Sequence, residues 1–251
     1  MAVYNTAFSS TEGLQITFDY ASYDATVAGR DADGLSFYLL DGSTPTSSLA
    51  VGGNLGYQPK ELSPGVTNGY AAIALDEWAG CGAAHPNPCI NSDRVFIYGT
   101  GNPPPASFTP FRQLPSSGVS LSGTAVGKVA PVDRINDHAR TVRITISPVS
   151  PATPYPTVTV EIDPTGTGTG FVKLIDAYTL TEALNGPVPA TFKMGFGAST
   201  GATGNTHEVR IRSAKTLKAL PVPTLEQNAL GALAVLLALL TLPALRRRFR
   251  D

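Results

Sequence analysis

The chain is short of charge, of cysteine and of helical periodicity, and each shortage removes a class of protein. Lys, Arg, Asp and Glu make up 15% of its 251 residues and sum to −1, so no basic field exists to hold a phosphate backbone. The balance is uneven. Residues 226–251 carry Glu226, Asp251 and four arginines, +2 in all, which leaves −3 on residues 1–225. A mildly acidic body again argues against a nucleic-acid partner. The two cysteines, Cys81 and Cys89, have only His85 near them and fall short of the four ligands of a structural zinc site. As a disulfide in an oxidising compartment they would contribute about 2–3 kcal/mol by chain entropy, two free thiols being the alternative. No part of residues 1–217 keeps a helical period over three turns, which excludes a helical bundle. The glycine-rich stretch 52–57 has neither the lysine nor the following helix of a phosphate-binding loop, so nucleotide binding is not expected. His85, His138 and His207 show no catalytic spacing; surface or strand-end positions are expected for them.

Glycine (25) and proline (21) are plentiful, and they punctuate short runs rich in Val, Ile, Phe, Tyr and Thr. That is the pattern of an all-β sandwich. Strands are expected over residues 1–8, 13–20, 35–40, 70–78, 95–98, 141–147, 157–162, 191–198 and 207–213. Of these, 141–147 and 157–162 alternate cleanly and should be antiparallel neighbours. Residues 102–117 read as a Pro/Ser loop, 164–170 as a flexible turn, and 179–184 as a single helical turn. The run 70–78, Tyr-Ala-Ala-Ile-Ala-Leu-Asp-Glu-Trp, ends in two carboxylates and the lone tryptophan, then opens into a loop that holds both cysteines. Acidic groups at the mouth of a rigid strand suit a calcium or sugar site, and they also suit an ordinary strand end. Asp76 and Glu77 are adjacent, so they point to opposite faces and make no glycosidase pair. No enzymatic activity is expected.

Residues 229–245 are seventeen residues without charge, followed by Arg-Arg-Arg-Phe-Arg. A helix of that length spans roughly 26 Å and crosses a membrane with its flanks, the arginines staying on the cytoplasmic side. A single C-terminal transmembrane helix is therefore expected, with residues 246–251 as a basic cytoplasmic tail. No charged segment and apolar core of a signal peptide precede the first strand.

Four segments resemble the legume-type (L-type) lectins in their bacterial form. Ala32-Asp33-Gly34-Leu35-Ser36-Phe37 resembles the Ala-Asp-Gly-x-x-Phe motif, and Gly52-Gly53-Asn54-Leu55-Gly56 the Gly-Gly-x-Leu-Gly loop. Ile73-Ala74-Leu75-Asp76 is similar to the strand that begins the family's metal site. Gly195 to Gly201, with Thr206-His207-Glu208-Val209, is similar to the last sugar-contacting loop and strand. The resemblance covers residues 1–217 and implies an antiparallel jelly-roll, concanavalin-like β-sandwich that binds carbohydrate. It implies that Asp33 accepts hydrogen bonds from sugar hydroxyls, that Gly53 lends a backbone N–H, and that Ala202 and Thr203 form the far wall. For Asp33 alone, a turn aspartate before Gly34 is the competing reading. The metal set carries over to Asp76, the Trp78 carbonyl and Asp93, enough for one Ca2+ at most. Ala74, Gly80 and Arg94 stand where the family has ligands, so two metals are not expected. One calcium, or a loop held instead by a Cys81–Cys89 bridge, both stay open. The same losses keep alive a second reading, a structural or adhesion sandwich whose sugar site has decayed.

The tail has its own resemblance. Val222-Pro223-Thr224-Leu225, the apolar span and the arginine cluster are similar to the IPTL-CTERM sorting signal of Gram-negative bacteria, without its usual tryptophan. Residues 218–228 would then be a linker with the sorting motif. The signal implies export, an exosortase-like processing enzyme, and a final place in the cell envelope, on the outer surface or outside the cell. It also implies a signal peptide upstream of the first residue given, where the lectin resemblance implies a leading strand.

Overall fold

Alternation decides which residues enter the core. From Leu14 to Tyr20 every second residue, Leu14, Ile16, Phe18 and Tyr20, is buried against the opposite sheet, while Gln15, Thr17 and Asp19 face away. The computed structural model describes residues 1–23, 33–46, 55–58, 65–76, 94–100, 112–120, 140–200 and 206–218, all within the unit Met1–Lys218. Ala219–Asp251 form a second unit that lies outside the described residues, and with it the expected sorting motif, membrane span and basic tail. Among the described residues no helix is long and apolar enough to cross a membrane.

The described elements are β1 (Ala2–Ser9), β2 (Leu14–Tyr23), β3 (Gly34–Asp41), β4 (Gly69–Asp76), β5 (Arg94–Tyr98), β6 (Arg112–Ser120), β7 (Arg140–Ile146), β8 (Thr157–Asp163), β9 (Val172–Thr179), the single turn α1 (Glu182–Asn185), β10 (Thr191–Ser199) and β11 (Thr206–Lys215). They build two antiparallel sheets, one ordered β1-β10-β3-β4-β5-β6 and the other β11-β2-β7-β8-β9. The all-β sandwich is as expected. So is the β7/β8 pair, with Val142 opposite Ile162, Ile144 opposite Val160 and Ile146 opposite Val158. The main core lies between the sheets, where each fully buried Leu, Ile or Phe contributes about 1.5–3 kcal/mol. Phe18, Phe37 and Phe196 form its aromatic centre, with Phe196 edge-on to both others at 5.0 and 5.6 Å.

β4 breaks the alternation, for all eight of its residues are buried. The reason is a second apolar cluster on the outer face of the six-stranded sheet, made of Tyr38, Leu40, Leu55, Tyr57, Val66, Ala72, Ala74, Phe96 and Tyr98. A strand covered on both faces needs a continuous apolar run, which is what Tyr70 to Leu75 supplies.

Three expectations are corrected. Part of the Pro/Ser stretch 102–117 is strand: β6 pairs with β5 at the sheet edge, where Pro115 costs no central ladder bond. The helical turn is Glu182–Asn185, not 179–184, because β9 runs on to Thr179. The turn after β8 is not loose. The Asp163 carboxylate accepts from the N–H groups of Thr165 (2.9 Å), Gly168 (2.6 Å) and Thr169 (3.1 Å) and from the hydroxyls of Thr165 and Thr167. Burial raises the pKa of Asp163, but these hydrogen bonds outweigh it and hold the carboxyl well below the usual range. Arg212 clips the same turn by donating to the carbonyls of Gly166 (2.6 Å) and Thr167 (3.1 Å).

Candidate functional site

One end of the six-stranded sheet gathers the polar residues. Across it runs a single rung in which Ser199 of β10 pairs with Gly34 of β3, Gly34 with Asp76 of β4, Asp76 with Arg94 of β5, and Arg94 with Ser120 of β6. Directly opposite residues share a face. The next rungs inward are Gly197–Ser36–Ala74–Phe96 and Gly195–Tyr38–Ala72–Tyr98. The outer face therefore passes from polar and charged at its end to small and then aromatic within two rungs.

Residues 55–58 lie over this face, with Leu55 and Tyr57 in the outer cluster. The approach is close because two glycines meet. A Cβ on Gly56 (φ +70°) would stand 2.6 Å from the Ala198 nitrogen and 2.7 Å from the Gly197 Cα, and one on Gly197 would stand 2.8 Å from the Gly56 oxygen. Leu55 itself has φ +49°, a left-handed conformation that a side chain adopts only when its surroundings hold it there. Here they do. The Ser36 hydroxyl donates to the Leu55 carbonyl at 2.8 Å, and the Leu55 N–H donates to Ser199 Oγ at 2.9 Å.

Ser199 passes the connection on. Its hydroxyl donates to Asp33 Oδ2 at 2.9 Å, while its carbonyl accepts from the Asp33 N–H at 2.9 Å. A relay thus runs from the Leu55 amide through Ser199 to the Asp33 carboxylate and fixes that carboxylate at the rim. Asp33 is only partly buried, and among the described residues its Oδ1 accepts no hydrogen bond. A carboxylate oriented in this way on a partly buried residue can accept from the hydroxyl of a bound molecule.

Of the expected site residues, Asp33 and Asp76 stand at this same end of the sheet. Gly53, Ala202, Thr203, Trp78, Asp93, Cys81 and Cys89 lie outside the described residues. Ser36, Leu55 and Ser199 join the site although no role was expected for them. The available signal was the spacing Gly195-x-Gly197-x-Ser199, three small residues on one strand face where another segment must come close.

The site's electrostatics bear on calcium. Asp76 is 6% exposed and has Arg94 directly opposite it on the same face. Among the described residues no three His, Cys, Asp or Glu side chains form a group that could hold a metal ion. His207, partly buried on β11, stacks on Tyr20 at 6.3 Å.

No family model matches the chain, and no curated protein matches it. Similar solved structures include the exoplasmic/lumenal domain of VIP36 in its Ca2+- and mannose-bound form, at 13% identity over 86% of this chain and 71% of that one, with a TM-score of 0.47. The metal-free form of lectin I-B4 from Griffonia simplicifolia is 16% identical over 85% and 79%, with a TM-score of 0.46. Basic winged bean lectin with Tn-antigen is 15% identical over 83% and 76%, with a TM-score of 0.48.

Proposed function

We propose that residues 1–217 form a lectin-like, non-enzymatic carbohydrate-binding domain whose ligand sits at the Asp33 end of the six-stranded sheet. The observation that carries this reading is the state of Asp33, one carboxylate oxygen held by Ser199 and the other accepting no hydrogen bond among the described residues. A sugar offers adjacent hydroxyls, and a fixed carboxylate can accept from them without having to be ordered first. The Gly53 N–H and the wall formed by Ala202 and Thr203 complete the site in this reading, with specificity set by the loops 80–93 and 201–205. The alternative, a structural or adhesion sandwich with a decayed sugar site, draws on the same Ser199 contact, since a carboxylate that staples β10 to the glycine loop has use without a ligand.

The tail extends the proposal. Residues 229–245 would cross a membrane, with the arginines of 246–250 on the cytoplasmic side and residues 222–225 recognised by an exosortase-like processing enzyme. The body would then stand in the envelope, on the outer surface or outside a Gram-negative cell, where Cys81 and Cys89 can pair.

A glycan array probed with the full chain in detergent, parent beside Asp33→Asn, tests the function. The asparagine keeps an acceptor for Ser199 and loses the charge. We expect retention on one glycan class by the parent and none by the variant at the same melting midpoint. Equal retention by both would refute the assignment of Asp33, and no retention by either would favour the structural sandwich.

A further inference from the structure

We infer that the recess between the two sheets beside β11 receives an apolar group carried by the bound sugar, so that the preferred ligand is a glycoside with an aryl or short alkyl aglycone; the inference rests on the carbohydrate reading above. The recess has a volume of about 390 Å3, within the range of about 300–1,000 Å3 usual for small-molecule sites. Leu35, Phe196 and Ala198 line it from β3 and β10, and Val209 and Ile211 line it from β11. Phe196, Ala198 and Val209 also pack against the main core, so the floor of the recess is the core itself. Met1 and Ile211 border it and stay 48% and 47% exposed, which leaves apolar surface in water. None of the described lining residues is Lys, Arg, Asp or Glu. A charged substituent would therefore lose its hydration there without gaining a partner, whereas an apolar one loses nothing. His207 adds a ring to the lining, held parallel to within 15° of Tyr20.

The recess and the sugar site share the ends of β3 and β10. Leu35 stands two residues after Asp33, roughly 7 Å along an extended chain, and Ala198 directly precedes Ser199, which holds the Asp33 carboxylate. A sugar fixed at Asp33 thus presents its substituent within a short reach of apolar walls. Once the sugar is bound, the second contact is intramolecular and carries no further cost of association. The recess then acts on specificity, sorting glycosides of one sugar by what is attached to them.

Calorimetric titration of the full chain in detergent with the methyl and the phenyl glycoside of the best-retained sugar tests the inference. Parent and Ile211→Asp are compared in the same micelles, so that partition of the phenyl ring into detergent cancels. The parent should bind the phenyl glycoside about tenfold or more tighter than the methyl one. Ile211→Asp puts a charge at the mouth from a half-exposed position, and should keep the methyl affinity while the phenyl preference falls to within about threefold. Ala2→Trp, which fills the recess from an exposed position on β1, should have the same effect and serves if the aspartate variant does not fold. Equal affinity of the parent for the two glycosides would overturn the inference and leave the carbohydrate reading standing. No affinity for either would refute that reading, and this inference with it. A phenyl preference that both variants keep would seat the ring elsewhere and overturn the inference too. Equal affinities together with sedimentation at the mass of two chains would give the recess to a second copy of the chain, again against the inference.

Discussion

At the scale of single residues, Ser199 is the hinge of the site. It accepts from Leu55 and donates to Asp33, so Ser199→Ala leaves a backbone amide and a carboxylate oxygen without their partner. The expected cost is about 1–3 kcal/mol in urea unfolding, with weaker glycan binding because Asp33 is no longer held. Asp19 makes a prediction of another kind. It is fully buried, yet Arg210 (2.7 Å), Arg212 (2.6 Å) and Thr141 (2.8 Å) surround its carboxylate. Burial raises its pKa, and the hydrogen bonds from Arg212, Arg210 and Thr141 outweigh burial, so the folded value is depressed. Such a group contributes its full stability above the unfolded carboxylate pKa of about 3.9 and loses it as pH falls through the folded value. Asp163 has the same sign. Urea midpoints should therefore hold level above pH ~5 and fall below pH ~4, and Asp19→Asn should make that acid fall shallower. An unchanged acid slope would mean that Asp19 is not depressed.

At the scale of elements, the glycine crossing fixes how residues 55–58 sit on β10. Gly56→Ala must leave a left-handed backbone or push Ala198 aside, and should cost about 2–4 kcal/mol in unfolding experiments and weaken binding with it. The same scale explains what could be read from the chain. The strands 13–20, 141–147 and 157–162 were legible because each buries one face against the main core, so its period of two is intact. β4 was legible as a strand through its apolar run, although the outer cluster that demands that run is completed by Leu55, Tyr57 and Val66 from outside the strands. β6 and β9 were not legible. Both are edge strands, β6 interrupted by Pro115 and β9 so exposed that only Ile175 is buried, so neither carries an alternation that packing would enforce. At the site, Asp33 and Asp76 could be marked because they sit within short motifs. Ser199 took its role from register, meeting Asp33 across 166 positions of sequence. No local pattern encodes that pairing.

At the scale of the whole molecule, the outer faces of the two sheets do different work. The outer face of the five-stranded sheet is closed by Asp19 with its two arginines and by the clipped turn after β8. The outer face of the six-stranded sheet carries a second apolar cluster that seats the glycine loop, and it ends in the polar rung. In this account the first sheet supplies rigidity and the second supplies the site, while the tail governs where the protein resides. Fractionation should find the chain in membranes before processing, and replacing Leu236 and Leu239 by arginine should release it, since each arginine at a span centre costs about 2.5–3.5 kcal/mol on insertion. The central claim concerns the second carboxylate oxygen of Asp33. Its most direct measurement is the calorimetric Kd of the best-retained glycan for the parent and for Asp33→Asn. The account expects a loss of roughly 10–100-fold, equivalent to a charged hydrogen bond of about 1.5–3 kcal/mol. Affinities equal within about twofold, a difference of under ~0.5 kcal/mol, would contradict it.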